Sequence, residues 1–265
     1  MPYLNLNQAN YYYEETGSGN ETIVFSHGLF LSGHMFYKQI DYFKDRHRII
    51  TYDHRGQGKT DVTPDSYDID TLYDDAVMLI EKLVGKPVIF VGLSMGGFVG
   101  MRLAARKPAL IKKLILLETS AEVELPETIS LFERHINSIK VSGFASIIPD
   151  IVPGMFGEKF INDPARTNEK SYWINQFKLN SDEGIVRAIE AVIYRKGITD
   201  EIAKIKCPTL IMVGDQDVAT KPVHSEKIHS LIRNSKLVVF EGGGHTSSVE
   251  EAEIYNKEIE AFLNH

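Results

Sequence analysis

The chain has 265 residues, 43% of them hydrophobic, a size and composition that can bury one sizeable core with an insertion rather than requiring two domains. Its formal net charge of -7 excludes nucleic acid and anionic membrane as natural partners, because both reward clustered Lys and Arg. A small organic ligand fits better. With Cys207 the only cysteine, no intrachain disulfide can form, and its place before Pro208 and an apolar run reads as a buried, inert thiol. Neither a basic segment leading into an apolar stretch at the N-terminus nor an 18-residue apolar run is present, so a cytoplasmic protein is the expectation.

Residues 2–6 and 10–16 read as two short antiparallel strands around a polar turn, closed by Gly17-Ser18-Gly19-Asn20. Short apolar runs follow at Thr22–Phe25, Arg48–Tyr52, Val88–Val91 and Leu114–Leu117, separated by stretches with helical spacing. Such runs are strands buried on both faces, and their alternation with helices predicts a mostly parallel, doubly wound sheet. After residue 119 the rhythm stops. Amphipathic stretches such as Thr128–Ile139 and Glu183–Tyr194 predict a helical cap over 120–206. Strands return at Thr209–Val213 and Leu237–Phe240, and a closing helix over Ser248–Leu263 turns Ile254, Ile259 and Phe262 inward. The predicted organisation is an α/β core of residues 1–119 and 207–265 with a lid, 120–206, between them.

Gly92-Leu93-Ser94-Met95-Gly96 fits G-x-S-x-G directly after a predicted strand and before a predicted helix, 95–106. The turn is so sharp that small residues two positions either side of the serine are needed to hold its hydroxyl above the sheet. A serine hydroxyl is a poor nucleophile at neutral pH, so it needs a base, and the base an orienting carboxylate. Gly242-Gly243-Gly244-His245 follows the last strand and supplies the base. Val213-Gly214-Asp215-Gln216-Asp217 offers two carboxylates. Asp215 follows a glycine where turn-stabilising roles are common, whereas Asp217 lies further along the loop and can reach His245, so Asp217 is favoured. For the oxyanion, Met95 N–H gives one donor and the loop Ser26-His27-Gly28-Leu29-Phe30 the second, assigned to Leu29 N–H. His27, His34 and His54 read as structural. His47, His135, His224, His229 and His265 lie in polar surroundings, and nothing in the spacing points to a metal or an organic cofactor.

These motifs together resemble the haloperoxidase-like and 3-oxoadipate enol-lactonase-like group of α/β-hydrolase-fold serine hydrolases. His27–His34 looks like the group's oxyanion loop, Asp53-His54-Arg55-Gly56-Gln57-Gly58 like its D-x-R-G-x-G turn, Gly92–Gly97 like its nucleophile elbow, and Leu117–Ala121 like its passage into the lid. The resemblance implies that the last residue of G-x-x-D, Asp217, is the acid, and that the residue after His-Gly, Leu29, gives the second oxyanion amide. Serine at the elbow points to acyl transfer, where related dehalogenases and most epoxide hydrolases carry aspartate.

The reading is a carboxylesterase or lactonase acting through an acyl-enzyme on Ser94, with no cofactor and a small ester or lactone as its partner; homo-oligomerisation is left open. Carbon–carbon bond hydrolysis by the same triad and a slowly turning-over ligand receptor on this scaffold are the alternatives. Phe30 and Trp173 are expected to line the pocket, with Phe132, Phe144, Met155, Phe156 and Tyr172 nearby. Arg134, Arg187 and Arg195 read as solvated faces rather than a carboxylate clamp.

Overall fold

The computed structural model describes residues 3–264. The expected strand start at residue 2 and the setting of His265 lie outside the described residues. Strands β1 (Tyr3–Leu6) and β2 (Ala9–Thr16) form a hairpin across Asn7 and Gln8, both at positive φ, a two-residue turn whose twist suits flanking strands. Next come β3 (Thr22–Ser26), α1 (Tyr37–Phe43), β4 (Arg48–Tyr52), α2 (Ile69–Leu83), β5 (Val88–Leu93), α3 (Met95–Arg106) and β6 (Ile111–Leu117). Between β6 and the next strand the described chain contains only helices: α4 (Pro126–Ser142), α5 (Ile148–Met155), α6 (Glu158–Asn162), α7 (Thr167–Phe177), α8 (Asp182–Ile193) and α9 (Thr199–Ile202), with short 3-10 turns. The chain ends with β7 (Thr209–Gly214), α10 (Pro222–Leu231), β8 (Ser235–Phe240), α11 (Ser247–Glu250) and α12 (Ala252–Leu263).

The eight strands form one sheet in the order β1-β2-β4-β3-β5-β6-β7-β8, antiparallel at β1/β2 and β2/β4 and parallel from β4 to β8. Strand order reverses between β3 and β5, so the loops leaving these strands diverge and open a crevice at the carboxyl ends. β3 and β5 are buried along their whole length, as strands covered by helices on both faces must be. One face packs α2, α3 and α10 against residues such as Val24, Phe90 and Leu116. The other packs α1, α12 and much of the helical insertion against Phe25, Val91 and Met212.

Several local expectations are corrected. The closing helix breaks at Glu251, and Ile254 lies 45% exposed, because the inward stripe of α12 runs through Tyr255 and Ile259 instead. β8 is the sheet edge and is only partly buried. Cys207 is half-buried, and burial pushes its thiol pKa up. His135 is buried rather than in polar surroundings, and its desolvation lowers its pKa. Arg195 is 8% exposed rather than solvated: it pairs with Glu124 at 2.7 Å and lies over the Phe98 ring. Among the described residues no helix is long and apolar enough to cross a membrane.

One buried polar cluster locks the antiparallel hairpin to the rest. Arg55 makes a two-pronged pair with Asp75 of α2 (2.6 and 2.9 Å), donates to Asn7 O (2.8 Å), and Asp75 also accepts from Tyr11 of β2. Both charged groups are almost wholly inaccessible. Removing one partner of such a pair strands the other charge in the interior. Asp75→Ala should therefore lose about 3–5 kcal/mol in urea unfolding, and a loss below about 1 kcal/mol would show the pair to be dispensable.

Candidate active site

The site is built where β5 becomes α3. Ser94 holds φ 51° and ψ −112°, a strained conformation for a residue with a side chain. Its neighbours explain how the turn closes. A Cβ on Gly92 would lie 2.3 Å from Gly96 O, and one on Gly96 would lie 2.1 Å from Ser26 O. Only glycine permits these backbone approaches. The turn is fastened by Ser94 N–H donating to Leu117 O (2.9 Å), and by Gly97 N–H (2.8 Å) and Thr119 Oγ1 (2.8 Å) donating to Ser94 O.

His245 reaches this point from the loop after β8. Its Nε2 lies 2.9 Å from Ser94 Oγ and its Nδ1 lies 2.9 Å from Asp217 Oδ2. Ser94, His245 and Asp217 are 8%, 5% and 2% exposed. Asp217 also accepts from the backbone N–H of Ala219 and Thr220 (2.9 Å each) and from Thr220 Oγ1 (2.8 Å). Burial alone would raise its pKa, but His245 and these donors outweigh it and hold the carboxyl below the usual carboxylate range. An ionised Asp217 fixes the imidazole with its proton on Nδ1 and leaves Nε2 free to accept from Ser94.

Asp215 sits elsewhere. Its carboxylate accepts from Gly242 N–H at 2.7 Å, bracing the histidine loop across the strand ends rather than closing a turn of its own.

The loop after β3 lies against the serine: a Cβ on Gly28 would meet Leu93 Cδ2 at 2.8 Å and Ser94 Cβ at 3.3 Å. The N–H groups of Leu29 and Met95 make no hydrogen bond among the described residues, whereas the next amide, Phe30 N–H, is already committed to Gln57 Oε1 at 2.8 Å. Phe30 has φ +70°, and its carbonyl accepts from Asn180 Nδ2 (2.8 Å), which comes from the insertion. Asp53 accepts from Gly33 N–H (2.7 Å) and Lys59 N–H (2.8 Å), so the turn over 53–60 holds the loop after β3 from behind. Gln57 and Asn180 were not singled out from sequence. Gln57 falls inside the D-x-R-G-x-G turn, which is the signal that could have found it, while Asn180 carries none.

The two pocket candidates separate. Phe30 is buried and stacks on Phe144 (centroids 5.4 Å) and Phe132 (6.5 Å) of the insertion. Trp173 packs beside His34, Tyr37 and Tyr172 and lines a cavity of about 490 Å³ with Asp53 and Asn180, whose lining includes none of Ser94, Asp217 and His245. Among the described residues no group of three or more His, Cys, Asp or Glu side chains is placed to hold a metal.

His27 braces the loop after β3 from within. Its Nε2 accepts His54 N–H (2.9 Å), so its proton resides on Nδ1 and is donated to Gly28 O (2.7 Å). His54 is likewise enclosed, with Nε2 at 3.0 Å from Ser26 Oγ.

Fold, elbow and the Ser-His-Asp geometry define the class: the chain belongs to the α/β-hydrolase superfamily and is a hydrolase. A family profile described as alpha/beta hydrolase fold matches residues 21–145, and one described as TAP-like protein matches residues 194–265. The chain is 30% identical to the AB hydrolase superfamily protein YisY of Bacillus subtilis, over 95% of this chain and 94% of that one. It is 28% identical to 3-oxoadipate enol-lactonase 2 of Acinetobacter baylyi, over 91% and 88%. Among solved structures it superposes on the enol-lactonase from Burkholderia xenovorans with a TM-score of 0.93 and 26% identity, each chain covered in full.

The buried His27 gives the fold a pH signature. Burial pushes its pKa down to about 4, so the unfolded chain gains a proton near pH 6.5 that the folded chain refuses until about pH 4. The stability this withholds is present above pH 6.5 and lost as pH falls toward 4, about 3 kcal/mol in all. His27→Gln should therefore show a smaller drop in unfolding free energy between pH 6.5 and 4 than the wild type, measured by urea titration at each pH. Equal drops would contradict the assignment.

Proposed function

We propose that the protein hydrolyses a small carboxylic ester or lactone through an acyl-enzyme on Ser94. The observation that carries this reading is the unbroken chain Asp217 Oδ2, His245 and Ser94 Oγ, each link 2.9 Å, beside two uncommitted amides. Ser94 Oγ adds to the carbonyl carbon as its proton passes to His245 Nε2, and the N–H groups of Leu29 and Met95 donate to the oxyanion. Collapse expels the alcohol oxygen, which takes that proton from His245. Water then attacks the acyl-enzyme with His245 again as base, releasing the acid and restoring Ser94. The helical insertion over 120–206 acts as the lid. The likeness to proteins named enol-lactonase supports a lactone ring as one form of substrate.

For the acyl group, what bears on the choice is where the four arginines of the insertion lie among the described residues. Arg195 is spent on Glu124, Arg187 pairs with Glu183 at 2.6 Å, Arg166 pairs with Glu169 at 2.9 Å, and Arg134 is exposed. Phe30, Phe132 and Phe144 offer an apolar wall, which supports a short or medium uncharged acyl group.

Ser94→Ala should fold normally yet lose about three or more orders of magnitude in kcat and all labelling by a fluorophosphonate probe. Asp217→Asn should also cost orders of magnitude in kcat, while Asp215→Asn should cost no more than about 1–2 kcal/mol of stability. Retained turnover in the alanine variant would remove Ser94 from the mechanism. Across a substrate panel, kcat/KM should be about tenfold or more higher for short uncharged esters and lactones than for matched analogues bearing a free carboxylate, the cost of desolvating an unpaired charge. The opposite order would place the substrate among carboxylate-bearing lactones.

A further inference from the structure

Beyond the triad, the loop that carries His245, with three glycines directly before the histidine, is held from two sides: by the core, through Asp215 and Gly242 N–H, and by the insertion. A Cβ on Gly244 would lie 2.1 Å from Gly157 N and 2.5 Å from Phe156 C, so the Phe156–Gly157 turn between α5 and α6 rests backbone on backbone against the histidine loop. A Cβ on Gly157 would in turn lie 2.6 Å from Gly242 O. At this contact sits one charged side chain that no step of the reaction uses. Glu250, 5% exposed, accepts from Gly157 N–H (2.9 Å) and Gly244 N–H (3.3 Å) on Oε2 and from Thr246 Oγ1 (3.1 Å) on Oε1. Its backbone carbonyl also accepts from Arg166 of the insertion at 2.8 Å.

We propose that Glu250 is a positioning residue for the reaction, joining the Phe156–Gly157 turn of the insertion to the Gly242–Gly244 loop and so holding His245 Nε2 within reach of Ser94. The inference rests on the reading of Ser94 and His245 as nucleophile and base. Three observations carry it. The carboxylate touches the residues immediately before and after His245, Gly244 and Thr246. Thr246 is tied to the insertion independently of the carboxylate, since its N–H donates to Met155 O at 3.0 Å, an oxygen its hydroxyl can also reach at 2.9 Å when the proton is not given to Glu250. The acid loop is pinned to the same turn, with Glu158 N–H donating to Gln216 Oε1 at 2.7 Å, so Asp217 and His245 are referenced to one segment of the insertion. Glu250 acts through His245 and touches no reacting atom. Its removal would leave two buried amides without an acceptor and let the glycine loop relax, and a shift of about 1 Å at a catalytic base is enough to cost on the order of a hundredfold.

The test compares Glu250→Leu, which fills similar volume without an acceptor, Glu250→Gln, and Ser94→Ala as reference, using steady-state kinetics on p-nitrophenyl butyrate and the rate of fluorophosphonate labelling. Glu250→Leu should lower kcat by about thirtyfold or more with KM changed less than about threefold, and labelling should slow in parallel, since Ser94 is activated only by a seated His245. Glu250→Gln should recover at least about tenfold of that loss: its carbonyl can accept both amides while its NH2 donates to Thr246 Oγ1, whose own proton goes to Met155 O. Should Glu250→Leu fail to fold, Thr246→Val removes the network's hydroxyl from the other side and should lower kcat by about tenfold with KM within about threefold. A kcat within threefold of wild type in Glu250→Leu, or in Thr246→Val where that variant stands in for it, a loss confined to KM, or a glutamine variant no better than leucine would overturn the proposal. Ser94→Ala that stays active would bring down the reading beneath it, and the proposal with it, whereas an inactive Ser94→Ala beside a near-normal Glu250→Leu would sink Glu250 alone.

Discussion

The strained turn at Ser94 is the constraint on which the remaining site depends. Holding an L-residue at φ 51° and ψ −112° costs on the order of 1–3 kcal/mol, so the surroundings must over-determine it. They do so with backbone: Gly92 and Gly96 approach each other and Ser26 at distances no side chain could share, and Ser94's own amide and carbonyl are each bonded to β6 or its exit. The result lifts one hydroxyl above the sheet and leaves the Met95 amide uncommitted at the start of α3, where the helix N-terminus favours negative charge.

Every other functional element is held relative to that turn by someone else's hydrogen bonds. The loop after β3 is fixed from the core side by Gln57, Asp53 and His54 N–H and from the insertion by Asn180, which also accepts Gly58 N–H at 2.9 Å. The acid and histidine loops meet the insertion at residues 155–158. The insertion thus touches the site at two separate corners, one at the loop after β3, where Phe30, Phe132 and Phe144 stack, and one at the loops that carry Asp217 and His245. A segment attached in this way fixes the relative positions of these loops.

Much of the fold was legible because its strands are short apolar runs bounded by turns. β4 and α3 fall on their predicted ranges, β1 ends where expected, and the other predicted strands extend by one to three residues at an end. The meeting of Ser94, His245 and Asp217 was legible because all three stand at strand exits marked by glycines. What the sequence concealed are contacts made across long separations by ordinary side chains. Asn180 and Glu250 reach their partners only after the insertion has folded onto the core, and no local spacing announces them. Arg195 is hidden for the same reason: helical spacing beside acidic residues looks like a solvated face until Glu124 and Phe98 close over it. Ile254 failed because a break at Glu251 rotates the inward stripe of α12. Trp173 shows the limit of composition, since an aromatic seam says nothing about which side of the oxyanion loop it walls.

The covalent intermediate is the central claim, and trapping it is the most direct measurement. Mixing the enzyme with excess p-nitrophenyl butyrate, quenching in acid within the first turnovers and sequencing the digested protein by mass spectrometry should find the butyryl group on the peptide spanning Ser94 and on that serine. An adduct on another residue, or product formed across the first turnovers with no acylated protein at any quench time, including in a variant slowed at His245, would contradict the account.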